Sequence, residues 1–170
     1  YQTYLKLCSE NKNSPSFFLD CGDHFLKQDL KEQGIRILSN LLEVGLEDAA
    51  LMRIYAWRLQ QAEELDAAID VFERVVSLRD DEPQSHRDLA VVLGSRWERD
   101  GKKDDIIRAM QLLYEVVSNE WDRFPEIELI ALMELNRFIY LAKLKSINIP
   151  KYIDKRLIRN LDLDLRISMS

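Results

Sequence analysis

Apolar residues return in the same frame every 34 residues along most of this chain. With Pro15, Ala49 and Pro83 as first positions of successive units, the eighth position is small each time: Gly22, Ala56 and Ala90. The seventh (Cys21, Tyr55, Leu89) and the eleventh (Phe25, Leu59, Leu93) are apolar. In the second half of the unit, position 20 holds Gly34 and Ala68, position 24 Leu38 and Phe72, and position 27 Leu41 and Val75. The third unit recovers this half after a slip of seven residues, as Ala109, Leu113 and Val116. Each half carries its apolar residues at helical spacing, so each unit predicts two helices. Two antiparallel helices approach closely only where small side chains meet, and bulky ones fill the space on either side.

Capping and breaking residues set the expected boundaries. Tyr1 to Glu10 reads as the end of an earlier helix, with Asn11-Lys12-Asn13 as its exit. Ser14-Pro15 is an N-cap followed by proline at the first helical position, opening a helix to about Gln28. Its partner runs from about Lys31 to Glu43 and closes at Gly45. Asp48 caps the next helix, to about Gln61, and Leu65, Ala68, Ile69, Phe72, Val75 and Val76 mark the partner. Asp80-Asp81-Glu82 before Pro83 supplies a cap and favourable negative charge. The seven extra residues lengthen the next helix through Arg96-Trp97-Glu98-Arg99 to a turn at Asp100-Gly101. Asp104 starts its partner, with Ile107, Met110, Leu113, Tyr114 and Val117 on one face. After a loop at Trp121–Phe124, Pro125 opens a long helix to about Lys145, apolar on more than one face as if covered on two sides.

The period, with small residues at 8 and 20 and bulky ones at 11 and 24, resembles the tetratricopeptide (TPR) repeat. That resemblance implies an all-α fold, a right-handed α-solenoid of antiparallel helix pairs. Two features depart from the standard repeat: position 32, often proline, is Leu46 and Asp80, and the third unit carries the insertion. From Leu161 the rhythm changes to strict alternation, with Leu161, Leu163, Leu165, Ile167 and Met169 on one parity and polar residues on the other. Alternation of this kind predicts a half-buried β-strand, an orphan in a helical array; the competing reading is an irregular tail. The expected organisation is residues 1–13, the end of a preceding helix and linker; 14–149, the solenoid; 150–160, a linker or short helix; and 161–170, the first strand of a following β-rich domain. Tyr1 in place of an initiator methionine reads as a piece of a longer chain, so no compartment follows from a missing leader.

Four segments carry a narrower resemblance: Pro15-Ser16-Phe17-Phe18-Leu19-Asp20, Gly34-Ile35-Arg36-Ile37-Leu38-Ser39-Asn40-Leu41, Glu82-Pro83-Gln84-Ser85-His86-Arg87-Asp88-Leu89 and Trp121-Asp122-Arg123-Phe124-Pro125-Glu126-Ile127-Glu128. They are similar to a bacterial family of large proteins that join a VIT domain, a von Willebrand factor type A domain, a TPR segment and a C-terminal β-rich domain of unknown function. The ending Asp164-Leu165-Arg166-Ile167-Ser168-Met169-Ser170 resembles the start of that last domain. The resemblance implies no catalytic residue and no assigned ligand for this segment.

Charge and chemistry narrow the function. The net charge is −6, and residues 151–170 hold +2, which leaves −8 on the other 150. An acidic array is a poor match for a phosphate backbone, so nucleic acid is not expected as a partner. The longest apolar stretch, Ile127 to Ala142, is broken by Glu128, Glu134 and Arg137, which argues against membrane insertion by this segment. Cys8 and Cys21 have no metal or redox spacing, and Cys21 falls at a core position, where a buried, inert thiol is expected. No phosphate loop or nucleophile–base pair is present, His24 and His86 are the only histidines, and His86 stands where a ring usually packs. Asp104-Asp105, Asp80-Asp81-Glu82 and Glu126/Glu128 lie at helix starts, where capping accounts for them. Neither an enzyme, a metal site nor a cofactor is expected.

Two functions remain. One is a protein-interaction module gripping a protein or peptide, an acidic or aromatic segment, in a concave groove. The other is a structural spacer fixing the geometry of flanking domains of the same chain. In TPR arrays the groove is lined by positions 2, 5, 9, 12 and 13 of each first helix. Carried over, these are Ser16, Leu19, Asp23, Leu26 and Lys27; Ala50, Arg53, Trp57, Gln60 and Gln61; and Gln84, Arg87, Val91, Gly94 and Ser95. Asp23, Lys27, Arg53, Trp57, Gln60, Gln84 and Arg87 are the candidate contacts. Arg53 and Arg87 repeat at one position, and Arg53 lies one turn from Trp57, within reach of covering its indole. The blander alternative pairs Arg53 with Asp23 and packs Trp57. The asparagine at position 9 that carboxylate-clamp members use is absent, since Asp23, Trp57 and Val91 stand there. Trp97, among Arg96, Arg99, Lys102 and Lys103, is either a contact on a projecting tip or a cover for the helix ends.

Overall fold

The computed structural model describes residues 2–122, 124 and 126–158. Among these the fold is all-α: α1 (Gln2–Cys8), α2 (Pro15–Lys27), α3 (Lys31–Leu38), α4 (Asn40–Val44), α5 (Ala49–Gln61), α6 (Leu65–Leu78), α7 (Pro83–Asp100), α8 (Lys103–Ser118) and α9 (Glu126–Leu144), followed by a 3-10 turn at Lys155–Leu157. The chain divides into two compact units, 1–80 and 81–170. The alternating segment 161–170, read as a strand, and Pro125 lie outside the described residues.

In the first unit α2 packs on α3 and α5 on α6, the TPR-like pairs that the period requires. Ser14 Oγ accepts from the Phe17 amide, and Asp48 accepts from the amides of Ala50 and Leu51, so both first helices are capped as their sequences indicate. The frame positions are sealed: Ala56, Ala68, Leu38, Phe72, Leu41 and Val75 have no accessible surface. Gly22 shows why position 8 is small, because a Cβ there would lie 2.4 Å from Leu38 Cγ. Tyr4 docks α1 by stacking on Phe17, with centroids 5.8 Å apart. The helix expected over Lys31–Glu43 is interrupted at Ser39. There Ser39 Oγ donates to the Arg36 carbonyl and Asn40 Nδ2 to those of Arg36 and Ile37, which competes with the helical ladder. Cys21 is only half-buried, not sealed in the core as expected; burial, then Asp20 and Cys8, raises its thiol pKa, which disfavours the thiolate.

In the second unit α7 packs on α8, and α9 packs on both. The insertion gives α7 18 residues against 13 in α5, ending at Gly101 in the left-handed region (φ 72°). Trp97 is buried rather than projecting, so the covering reading holds. Three capping expectations change. Glu82, at the N-cap of α7, makes no side-chain cap bond, Lys102 rather than Asp104 precedes α8, and Asp105 is buried against Arg96. The buried face of α8 is Ile106, Ala109, Met110, Leu113 and Val116, one residue round from the expected Ile107 and Val117. α9 is covered on one side by Ala131, Leu135, Phe138, Ile139 and Ala142. Its opposite apolar side, expected to be covered too, stays exposed among the described residues.

Candidate functional site

The expected groove residues separate into two environments, one in each unit. In the first unit Asp23, Leu26 and Lys27 from α2 meet Arg58, Gln61 and Ala62 around a hollow of about 390 Å³. Asp23 takes Arg58 in bidentate fashion, Nε to Oδ1 at 2.6 Å and Nη2 to Oδ2 at 2.8 Å. Its partner is therefore Arg58, not the Arg53 that the sequence offered. Both lie in α5, but positions 9 and 10 of the second repeat are Trp57 and Arg58, and it is the latter whose fork reaches back to α2 of the preceding repeat. Arg58 also donates from Nη1 to Gln61 Oε1 at 3.3 Å. Lys27 and Gln61 are exposed, while Gln60 is half-buried.

Trp57 is half-buried and stands edge-on to Phe72, centroids 5.0 Å apart at 69°, so part of its ring packs in the helix pair. Arg53 is half-buried, its Nε sealed from solvent. Neither residue lines the hollow.

In the second unit the groove face is engaged by the chain's own last helix. Arg87 on α7 donates from Nε and Nη2 to Glu134 on α9 at 3.0 and 2.6 Å. The Glu134 hydrogen bond raises the Arg87 pKa further, outweighing the lowering from burial. Gly94, expected in the groove, is buried: its Cβ position lies 2.2 Å from Phe138 Cζ of α9. Gln84 is half-buried on the first turn of α7. Asp105 and Arg96 form a second fork–fork pair, both bonds 2.7 Å, in a largely dry position.

His86 packs on Trp121, centroids 5.5 Å apart, with Nδ1 3.8 Å from Glu115 Oε2. His24 is exposed and edge-on to Phe25, while its neighbour Asp23 is held by Arg58, so the two form no dyad. Among the described residues no group of three His, Cys, Asp or Glu is placed to hold a metal, and no helix is long and apolar enough to cross a membrane.

The sequence reading missed a second hollow, of about 470 Å³, where Trp97, Leu141 and Ile147 meet Lys103, Arg137 and Lys145. Arg137 is ion-paired with Glu98 at its edge. Its sequence signal is partial: of the basic residues in 137–158, which stand against Asp154 alone, only Arg137 and Lys145 line it.

No family model and no curated protein matches this sequence. Among solved structures, two crystal structures of MamA resemble it at 18% identity with a TM-score of 0.44. One covers 85% of this chain and 88% of that chain, the other 88% and 86%.

Proposed function

We propose that this chain is a non-catalytic protein-interaction module and that its binding surface is the Asp23–Arg58 hollow of the first unit. The observation that carries this reading is the arrangement of charge there. Asp23 already neutralises Arg58, so the exposed Lys27 supplies the attraction, and Gln61 supplies a neutral hydrogen-bonding group. An acidic peptide with an apolar or aromatic side chain suits such a surface. The resemblance to VIT and von Willebrand factor type A proteins adds flanking domains of the same polypeptide as a source of that segment.

The spacer reading draws its support from the second unit. Arg87 and Gly94 are engaged by α9, which removes them from any open groove. Fluorescence anisotropy with a panel of labelled acidic-aromatic, basic and apolar peptides separates the two. Saturable binding of the acidic-aromatic set, weakened about tenfold by Lys27→Glu with Gln61→Glu, supports the module. Failure of every peptide to bind refutes it and favours the spacer.

A further inference from the structure

α9 exposes Leu129, Ile130, Met133, Tyr140 and Leu144, each between 40 and 67% accessible. At 100° per residue they fall within one third of the helix circumference, opposite the face that packs on α7 and α8. The stripe runs about 22 Å, at 1.5 Å per residue. We propose that this stripe is a self-association surface on which a second copy of the chain lays its own α9, antiparallel, about a two-fold axis.

The pattern is complementary to its own reverse. With the axis passing beside Arg137, Leu129 of one copy meets Leu144 of the other, and Met133 meets Tyr140. The charges agree with this alignment. Glu126, exposed on the first turn of α9 in line with the stripe, comes beside Lys145 at the far end of the partner helix. The two opposed helix dipoles favour the same pairing. Arg137, near the axis, enters already ion-paired with Glu98, so no bare charge is brought to the centre. A parallel alignment would instead put Glu126 on Glu126 and Lys145 on Lys145.

An isologous contact of this kind buries the same patch twice. The five side chains offer roughly 500 Å² per copy, about 1,000 Å² in total, the lower edge of what a specific interface needs. A reversible dimer with a dissociation constant on the order of 10 μM is therefore expected, not a permanent one. This surface lies on the second unit and is independent of the hollow on the first.

Sedimentation equilibrium of the full 170-residue chain tests the proposal. The wild type should show a monomer–dimer equilibrium in the micromolar range. Met133→Glu, at a solvent-facing position, should weaken it at least about tenfold with an unchanged helical circular dichroism spectrum. Glu126→Lys and Lys145→Glu should each weaken it, and the two together should recover it, because the pair is restored with its signs exchanged. A wild-type monomer at every concentration overturns the proposal; that is also the result expected if residues 159–170 of the same chain cover the stripe. A dimer indifferent to Met133→Glu, or a double reversal that fails to recover, overturns it equally.

Discussion

Gly94→Ala puts the packing of α7 against α9 to a quantitative test. The added methyl would stand 2.2, 2.7 and 3.1 Å from Cζ, Cε1 and Cε2 of Phe138, where ordinary carbon contacts are about 3.5–4.0 Å. Relief requires the ring to withdraw by more than about 1 Å, and Phe138 is only 1% exposed, so no solvent-side space receives it. Overpacking of a sealed core typically costs about 1–3 kcal/mol, and a rigid ring belongs at the upper end. Against this, alanine in place of glycine within an 18-residue helix gains about 1 kcal/mol. The balance is a loss of about 2 kcal/mol, or roughly 4–8 °C in the melting midpoint of a chain this size. Calorimetry and urea titration should report the same loss. Phe138→Leu, which removes the ring, should make the alanine at position 94 tolerable, giving a coupling of at least about 1 kcal/mol in a double-mutant cycle. If Gly94→Ala proves as stable as the wild type or more so, the close approach of the two helices is wrong.

Three further outcomes follow from particular contacts. Asp105→Ala strips Arg96 of a bidentate partner in a largely dry position, and urea titration should show a loss of about 2–4 kcal/mol. Asp29, exposed just beyond α2, holds φ at 58°, a left-handed conformation that costs a side-chain-bearing residue about 1 kcal/mol, so Asp29→Gly should raise the melting midpoint slightly. Burial raises the pKa of the Tyr55 hydroxyl above its ordinary 10.0; a raised folded-state pKa gives stability fully present below pH 10 and lost as pH climbs through the folded value. Ultraviolet titration should therefore show Tyr55 ionising later than an exposed tyrosine, and Tyr55→Phe should blunt alkaline unfolding.

The repeat was legible because its signal is steric and local. Small residues at 8 and 20 and bulky ones at 24 and 27 can be satisfied only by one pairing of neighbouring helices, and Ala56, Ala68, Phe72 and Val75 are sealed as that pairing demands. Doublets defeated the finer reading. Ile106-Ile107 and Val116-Val117 are apolar at both positions, so periodicity alone allowed a face one residue away from the buried one. Side-chain hydrogen bonds were equally opaque: nothing in the order of residues distinguishes a Ser39 that breaks a helix from one that rides on it, or an Asp105 that caps from one that takes Arg96 of the preceding helix. The candidate groove suffered most, since its carry-over assumed that each repeat presents the same positions to solvent.

Arg53 and Arg87 show why that assumption fails. They occupy the same position of successive units, and a sequence pattern treats them as equivalent. Yet a side chain's availability is set by the helix that comes next, not by its own register. For Arg87 that helix is α9, whose Glu134 takes two of its donors, so reversing its charge would place two carboxylates together at the α7–α9 contact and test folding rather than capture. In the first unit the acid at Asp23 is satisfied by Arg58, a residue outside the repeat's groove set, which leaves Lys27 as the accessible cation of that hollow. A binding experiment on this chain is therefore decisive only when it perturbs exposed side chains such as Lys27 and Gln61. Arg87, one of the two arginines that look most like a site in the sequence, is a residue whose loss would be read as a loss of structure.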